Sequence, residues 1–220
     1  MGKCAYTDKI LEATPRKKYY KKLVNGVGIS DSPFSVSMKA DGKTIMHRAY
    51  SCWFEMLNRC YGEVWLSRYP SYRDCSVCSD WLTFSNFYGW WKENHIDGFE
   101  LDKDIRIPGN RVYSPESCMF VPGEINRFFG DHKRRRGAYA IGVYFRSDLN
   151  KYLASVSDRK GGSSYLGLYE DEKSAHLAWI DAKMLQLDDM KDFCDSVRPD
   201  LHALMLGKLN SMLVNCGEKK

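Results

Sequence analysis

The chain has 220 residues, 44% of them apolar, with a formal net charge of +5. That length allows one or two domains with real cores. No apolar run long enough to span a bilayer and no charged-then-apolar leader is present, so the sequence argues against a membrane partner and for a cytoplasmic protein.

Taken in chain order, residues 1–24 read as a basic, partly helical leader. Its run RKKYYKK (16–22) and a second run, HKRRR (132–136), concentrate the positive charge. Such runs are either solvated linkers or phosphate contacts. "NGVGISDSPF" carries glycine and proline turn signals, and the alternation around Asp41–Gly42 predicts a β-hairpin over 34–47. Trp53, Met56, Leu57 and Cys60 recur at helical spacing, which predicts an amphipathic helix over 49–61. A loop follows. Ser79 or Asp80 is then placed to cap a helix over 81–94 that buries Trp81, Phe84, Phe87 and Trp91.

A strand is predicted over 99–105, then a turn at Gly109–Asn110, then a helix starting near Ser114–Pro115, where proline suits the first turn. Asp102 and Asp104 stand two apart on the predicted strand, so their carboxylates share a face and suit one Mg²⁺. The competing reading makes them salt bridges and turn caps. His95, in "NHID", precedes this strand rather than ending it. Cys60, Cys75, Cys78 and Cys118 have one knuckle-spaced pair among them, so they are either a zinc site or buried thiols.

Beyond the second basic run, "AIGVYFRS", "KYLASVSD" and "SYLGLY" predict three short strands, and "EDEKSAHLAWIDAKMLQLDD" predicts an amphipathic helix with acids in its first turn. Alternation sends Val143 and Phe145 toward that helix, with Leu153 assigned to the same side less firmly, and Tyr144 and Arg146 away from it. "RPDLHALMLGKLNSMLVN" predicts a last helix. The fold class is α+β, in five parts: the leader, a domain over 25–130, a basic linker over 131–137, a sheet domain over 138–192 and a C-terminal helix over 193–220.

"GVYF", "KYLASV" and "YLGLYEDEKSAHLAW" resemble the three-strand-plus-helix DNA-binding domain of plant ethylene-response factors, which also occurs in phage homing endonucleases. The resemblance implies that the sheet lies in the major groove of double-stranded DNA, read by Tyr144, Arg146, Ser155, Ser157, Ser163 and Tyr165. Lys151, Arg159, Lys160 and Lys133, Arg134, Arg135 and Arg136 would add backbone contacts. The plant pattern has more arginines on this face, and serine and tyrosine stand in their place here, which favours backbone-weighted binding.

"YSCWFEMLNRCY", "DCSVCSDWLTFSNFYGWW" and "LDKDIRIPGNRVYSPESCMFVPGEINRF" resemble phage proteins that look like degenerate relatives of HNH (histidine-metal finger) endonucleases. That family uses a ββα finger. A histidine there activates water while neighbouring side chains hold a divalent metal. The matching positions here are Asp102, Asp104, Asn110 and Asn126, with no histidine among them. The resemblance implies a DNA-clamping phage protein that has lost cleavage. Two alternatives stay open: an active Mg²⁺-dependent homing or nicking endonuclease, and a phage factor that binds a host protein.

Overall fold

A computed structural model describes residues 3–16, 22–130, 137–158 and 162–217. It is a mixed α+β protein in two units. One comprises Met1–Asp104 and Gly109–Phe120, the other Ile105–Pro108 and Val121–Lys220. Among the described residues, no helix is long and apolar enough to cross a membrane.

In the first unit the leader forms helix α1 (Lys3–Glu12). Two acids tie it down. Asp8 accepts from the Arg48 backbone N–H at 3.0 Å, and Glu12 accepts from the Tyr88 hydroxyl at 2.6 Å. The hairpin forms as predicted from β1 (Ser37–Ala40) and β2 (Lys43–Met46). Ala40 stands opposite Lys43, and Asp41 and Gly42 both take positive φ, at 50° and 73°. That is the turn whose twist matches a two-residue hairpin.

Helix α2 (Arg48–Tyr61) buries Ala49, Trp53, Met56, Leu57 and Cys60, the face its spacing predicts. The Trp53 indole N–H donates to the Trp81 carbonyl at 2.7 Å, so the largest core side chain keeps its polar atom satisfied. A short helix α3 (Glu63–Arg68) follows.

Helix α4 covers Phe84–Asn94 and begins later than the sequence predicts, because Asp80–Leu82 forms a tight 3-10 turn first. Neither Ser79 nor Asp80 caps it. The capping carboxylate is that of Asp31, which accepts from the Ser85 N–H at 2.8 Å. Trp81, Phe84, Phe87 and Trp91 are buried as expected.

Strands β3 (Ser76–Val77), β4 (Phe99–Asp102), β5 (Val112–Tyr113) and β6 (Met119–Pro122) form two small sheets, β3 with β5 and β4 with β6. Two expectations change here. The strand predicted over 99–105 stops at Asp102. The helix predicted from Ser114 is a turn leading into β6. The Ser117 hydroxyl donates to the Val112 carbonyl at 2.7 Å, which closes that turn. Met119, Phe120 and Val121 are then buried in succession, which suits a strand enclosed on both faces.

The second unit holds helix α5 (Gly123–Phe128) and an antiparallel sheet of β7 (Val143–Arg146), β8 (Lys151–Ser157) and β9 (Ser163–Tyr169) in that order. Helix α6 (Glu172–Asp188) packs on the sheet, and α7 (Lys191–Val197) and α8 (Leu201–Gly217) follow. Asp171 caps α6 by accepting from the Ser174 N–H at 2.8 Å.

Val143, Ala154 and Ala175 form one buried cluster and Val156, Trp179 and Ile180 another. Small alanines bring helix and sheet close, and Gly142 shows how close. A Cβ there would lie 2.0 Å from the Trp179 ring, and its φ is +80°. Between Ala154 and Ser155 the register slips: Ala154 faces Gly167 but Ser155 faces Tyr165, which leaves Leu166 as an extra residue on β9. Leu166 turns inward against both buried clusters, a β-bulge that changes the phase of the strand.

Candidate nucleic-acid interface

The sheet of the second unit has one face on α6 and one face turned away from it. Ala154 and Val156 are buried, so by pleating Leu153, Ser155 and Ser157 project from the opposite face. Register extends that assignment across the sheet. Tyr144 stands opposite Leu153 and Arg146 opposite Lys151. Leu168, Tyr165 and Ser163 stand opposite Leu153, Ser155 and Ser157. The outward face therefore carries Tyr144, Arg146, Lys151, Ser155, Ser157, Ser163 and Tyr165 together. Leu153 belongs to it too, opposite to its expected side. Tyr165 is 62% exposed and Leu168 37%.

The charge on this face is locally balanced. Arg146 and Lys151 are cross-strand neighbours, a like-charge pair that costs energy by itself. Each has its own carboxylate. Arg146 donates twice to Asp148, at 2.9 and 2.7 Å, and Lys151 Nζ lies 2.7 Å from Glu170. The Arg146 guanidinium holds the Asp148 carboxyl below its ordinary pKa. A guanidinium has five N–H donors, so the Asp148 contact leaves others for a phosphate or base.

Lys133, Arg134, Arg135, Arg136, Arg159 and Lys160 lie outside the described residues, as do positions 17–21 of the first basic run. Arg16 donates to the Ser30 carbonyl at 2.6 Å.

Asp102 and Asp104 do not share a strand face, because β4 ends at Asp102. Asp102 Oδ1 instead accepts from the Asp104 N–H at 2.8 Å, an Asx-type turn that folds the chain back. Between them stands Lys103, whose Nζ is 3.1 Å from Asp104 Oδ2 and 3.3 Å from the Asn110 carbonyl. Burial works against its charge, but the adjacent Asp104 carboxylate holds its pKa above the usual lysine value. The rings of Tyr72 and Tyr113 each lie 5.9 Å from the ammonium.

Asn110 closes the same loop. Its side-chain N–H groups donate to the carbonyls of Lys103 and Val112, both at 2.7 Å. Asp104 and Asn110 thus gather around one ammonium, while Asp102 holds the turn beside them. Asn126 belongs to the second unit, on α5. A lysine between two aspartates was visible in the sequence, and the fold turns its ammonium onto Asp104.

Cys60, Cys75 and Cys118 are buried and Cys78 half-buried. Burial pushes the Cys60 and Cys118 thiols up to about 12, so both carry their proton at neutral pH. Among the described residues, no three His, Cys, Asp or Glu side chains converge as a metal-holding group.

His95 stacks on Trp91 with ring centroids 4.1 Å apart, and its Nδ1 is 3.7 Å from Asp97. Burial first, and then Arg48, pull its pKa below the ordinary histidine value.

Comparison with protein-family models, with curated proteins and with solved structures finds no match for this chain.

Proposed function

We propose that this chain is a phage-type DNA-binding protein that lays the outward face of β7–β9 in a groove of the duplex. One observation carries the reading. A three-stranded antiparallel sheet is packed on a single helix, and its far face presents Tyr144, Arg146, Lys151, Ser155, Ser157, Ser163 and Tyr165 in register. That architecture suits the resemblance to ethylene-response-factor domains, in which such a face meets the major groove. Tyrosine and serine bind phosphates and sugars well and discriminate bases weakly, so contacts to the backbone carry most of the affinity.

The segment from Phe99 to Phe128 runs strand, loop, a two-residue strand, turn, strand, short helix, and its last strand and helix are what a degenerate HNH finger would use. In this reading the finger serves binding and not cleavage. Lys103 engages the Asp104 carboxylate, one of the two groups that a catalytic cation would draw on.

The test incubates the full chain with supercoiled plasmid and short duplexes, with and without Mg²⁺ or Mn²⁺, on gels that resolve both shifts and cuts. A metal-independent shift without cutting is expected. Metal-dependent nicking lost in Asp102→Ala would establish the endonuclease instead. The absence of both would turn attention to a host protein partner.

A further inference from the structure

The first unit contains a cavity of about 520 Å³ between α2, the C-terminal end of α4 and β4. No reading of the sequence singled it out, and it lies entirely within that unit. Its volume is in the range that holds a small organic ligand. The inner wall is aromatic and apolar, with Trp91, Phe120 and Met56. The rim is polar, with Glu55, Arg59 and Glu100.

The rim chemistry narrows the ligand. Glu55 and Arg59 are one helical turn apart on α2, with carboxylate and guanidinium 3.9 Å from each other. They present an acceptor edge beside a donor edge. The Glu55 side chain is 61% exposed at the cavity mouth, while Arg59 lies deeper and hydrogen-bonds Tyr113, and its five N–H donors leave others for the cavity. Arg48 is already paired with Asp8 and Asp97, and Glu55 and Glu100 outweigh Arg59, so the mouth is poorly suited to an isolated phosphate. A flat, uncharged heteroaromatic with a carbonyl next to ring and exocyclic N–H groups complements it. Guanine has that pattern: O6 accepts from a guanidinium, while N1–H and N2–H donate to a carboxylate. The wall supplies a hydrophobic surface for the ring. His95, stacked on Trp91 and held uncharged at neutral pH, adds no competing charge.

We propose that this cavity is a nucleobase pocket that takes one guanine, with Arg59 donating to O6 and Glu55 accepting from the N1–H and N2–H edge. The base arrives either as a free nucleoside or as an unstacked residue of a nucleic-acid strand. The pocket does not depend on the sheet of the second unit binding DNA.

Calorimetric titration of the full chain tests this, with guanosine, inosine, adenosine and cytidine, and with DNA hairpins that differ only in one unpaired guanine. The expected result is a single site for guanosine. Inosine, which lacks the 2-amino group, should bind at least several-fold more weakly, and Glu55→Gln should weaken guanosine at least tenfold. Glu55→Gln is isosteric and half-exposed, and circular dichroism checks its fold. Lys173→Ala, exposed on α6, should leave guanosine binding unchanged. If only the hairpin with an unpaired guanine binds, and Glu55→Gln abolishes its advantage over the paired hairpin, the strand is the source. Equal affinity for all four nucleosides, indifference to Glu55→Gln, or no binding of either guanine form overturns the proposal.

Discussion

At the scale of single residues, the second unit contains a lysine in an unusual place. Lys183 on α6 is 3% exposed, and its Nζ lies 4.3 Å from the Phe128 ring centre and 3.1 Å from Gln186 Oε1. Burial lowers its pKa to about 8 from the ordinary 10.5. The sign of the effect on stability follows from linkage. Between about pH 8 and 10.5 the unfolded chain holds a proton that the folded chain has released, so this group favours folding more as pH rises. Its penalty is fully present below pH 8. Lys183→Met should raise stability at pH 7 by roughly 1–3 kcal/mol. The gain should shrink toward pH 10.5, as urea denaturation of both proteins across that range would show. A constant difference would mean that the amine keeps its ordinary pKa in the folded protein. Lys103 is the contrasting case: it is half-buried, and the neighbouring Asp104 carboxylate preserves its charge. The burial of Lys183 was not legible in the sequence, because the Phe128 ring against it comes from a distant position.

At the scale of elements, local pattern and tertiary contact divide the outcome. The hairpin at Asp41–Gly42, the helix through Trp53 and the strands β7–β9 were legible, since each is specified by its own periodicity and turn residues. The start of α4 was not, because its capping carboxylate comes from Asp31, more than fifty positions upstream of Ser85. Asp31→Ala should therefore destabilise the protein by about 0.5–2 kcal/mol, the usual worth of an N-terminal cap, measured as a lower urea midpoint. Ser114–Pro115 had every local mark of a helix start, but Ser117 closes a turn and the buried run Met119–Val121 pairs as strand. The DNA-binding proposal is tested at this scale too. Arg146 belongs to the outward sheet face, whereas Lys173 is exposed on α6. Arg146→Ala should weaken duplex binding about tenfold, near the lower end of what one good guanidinium contact contributes. Lys173→Ala should change it less than twofold in the same anisotropy titration. Equal losses would show that a different face meets the duplex.

At the scale of the whole molecule, a net charge of +5 is modest for a nucleic-acid binder, and the outward sheet face holds its two cations against Asp148 and Glu170. Under the DNA-binding proposal, affinity draws on the basic runs at 16–22 and 132–136. Arg134→Ala/Arg135→Ala should weaken duplex binding and reduce the slope of log K against log salt by about two, since each lost phosphate contact removes about 0.9. An unchanged slope would place those arginines away from the DNA. The α+β class and the three-strand-plus-helix plan followed from the sequence, whereas the cavity beside α2 did not. Its wall assembles from α2, α4, β4 and β6, and no single stretch of the chain announces it.

The extra residue on β9 makes one position of the sheet dispensable to its register. The bulge absorbs Leu166, so that Tyr165 and Ser163 project outward on the same face as Leu168. Removing that one residue leaves Ser163, Ser164, Tyr165, Gly167 and Leu168 in plain alternation, with Tyr165 and Ser163 still outward opposite Ser155 and Ser157. Conservative substitution at position 166 should be tolerated as a packing change. A one-codon deletion there would remove the bulge and the inward packing of Leu166 while both faces keep their residues.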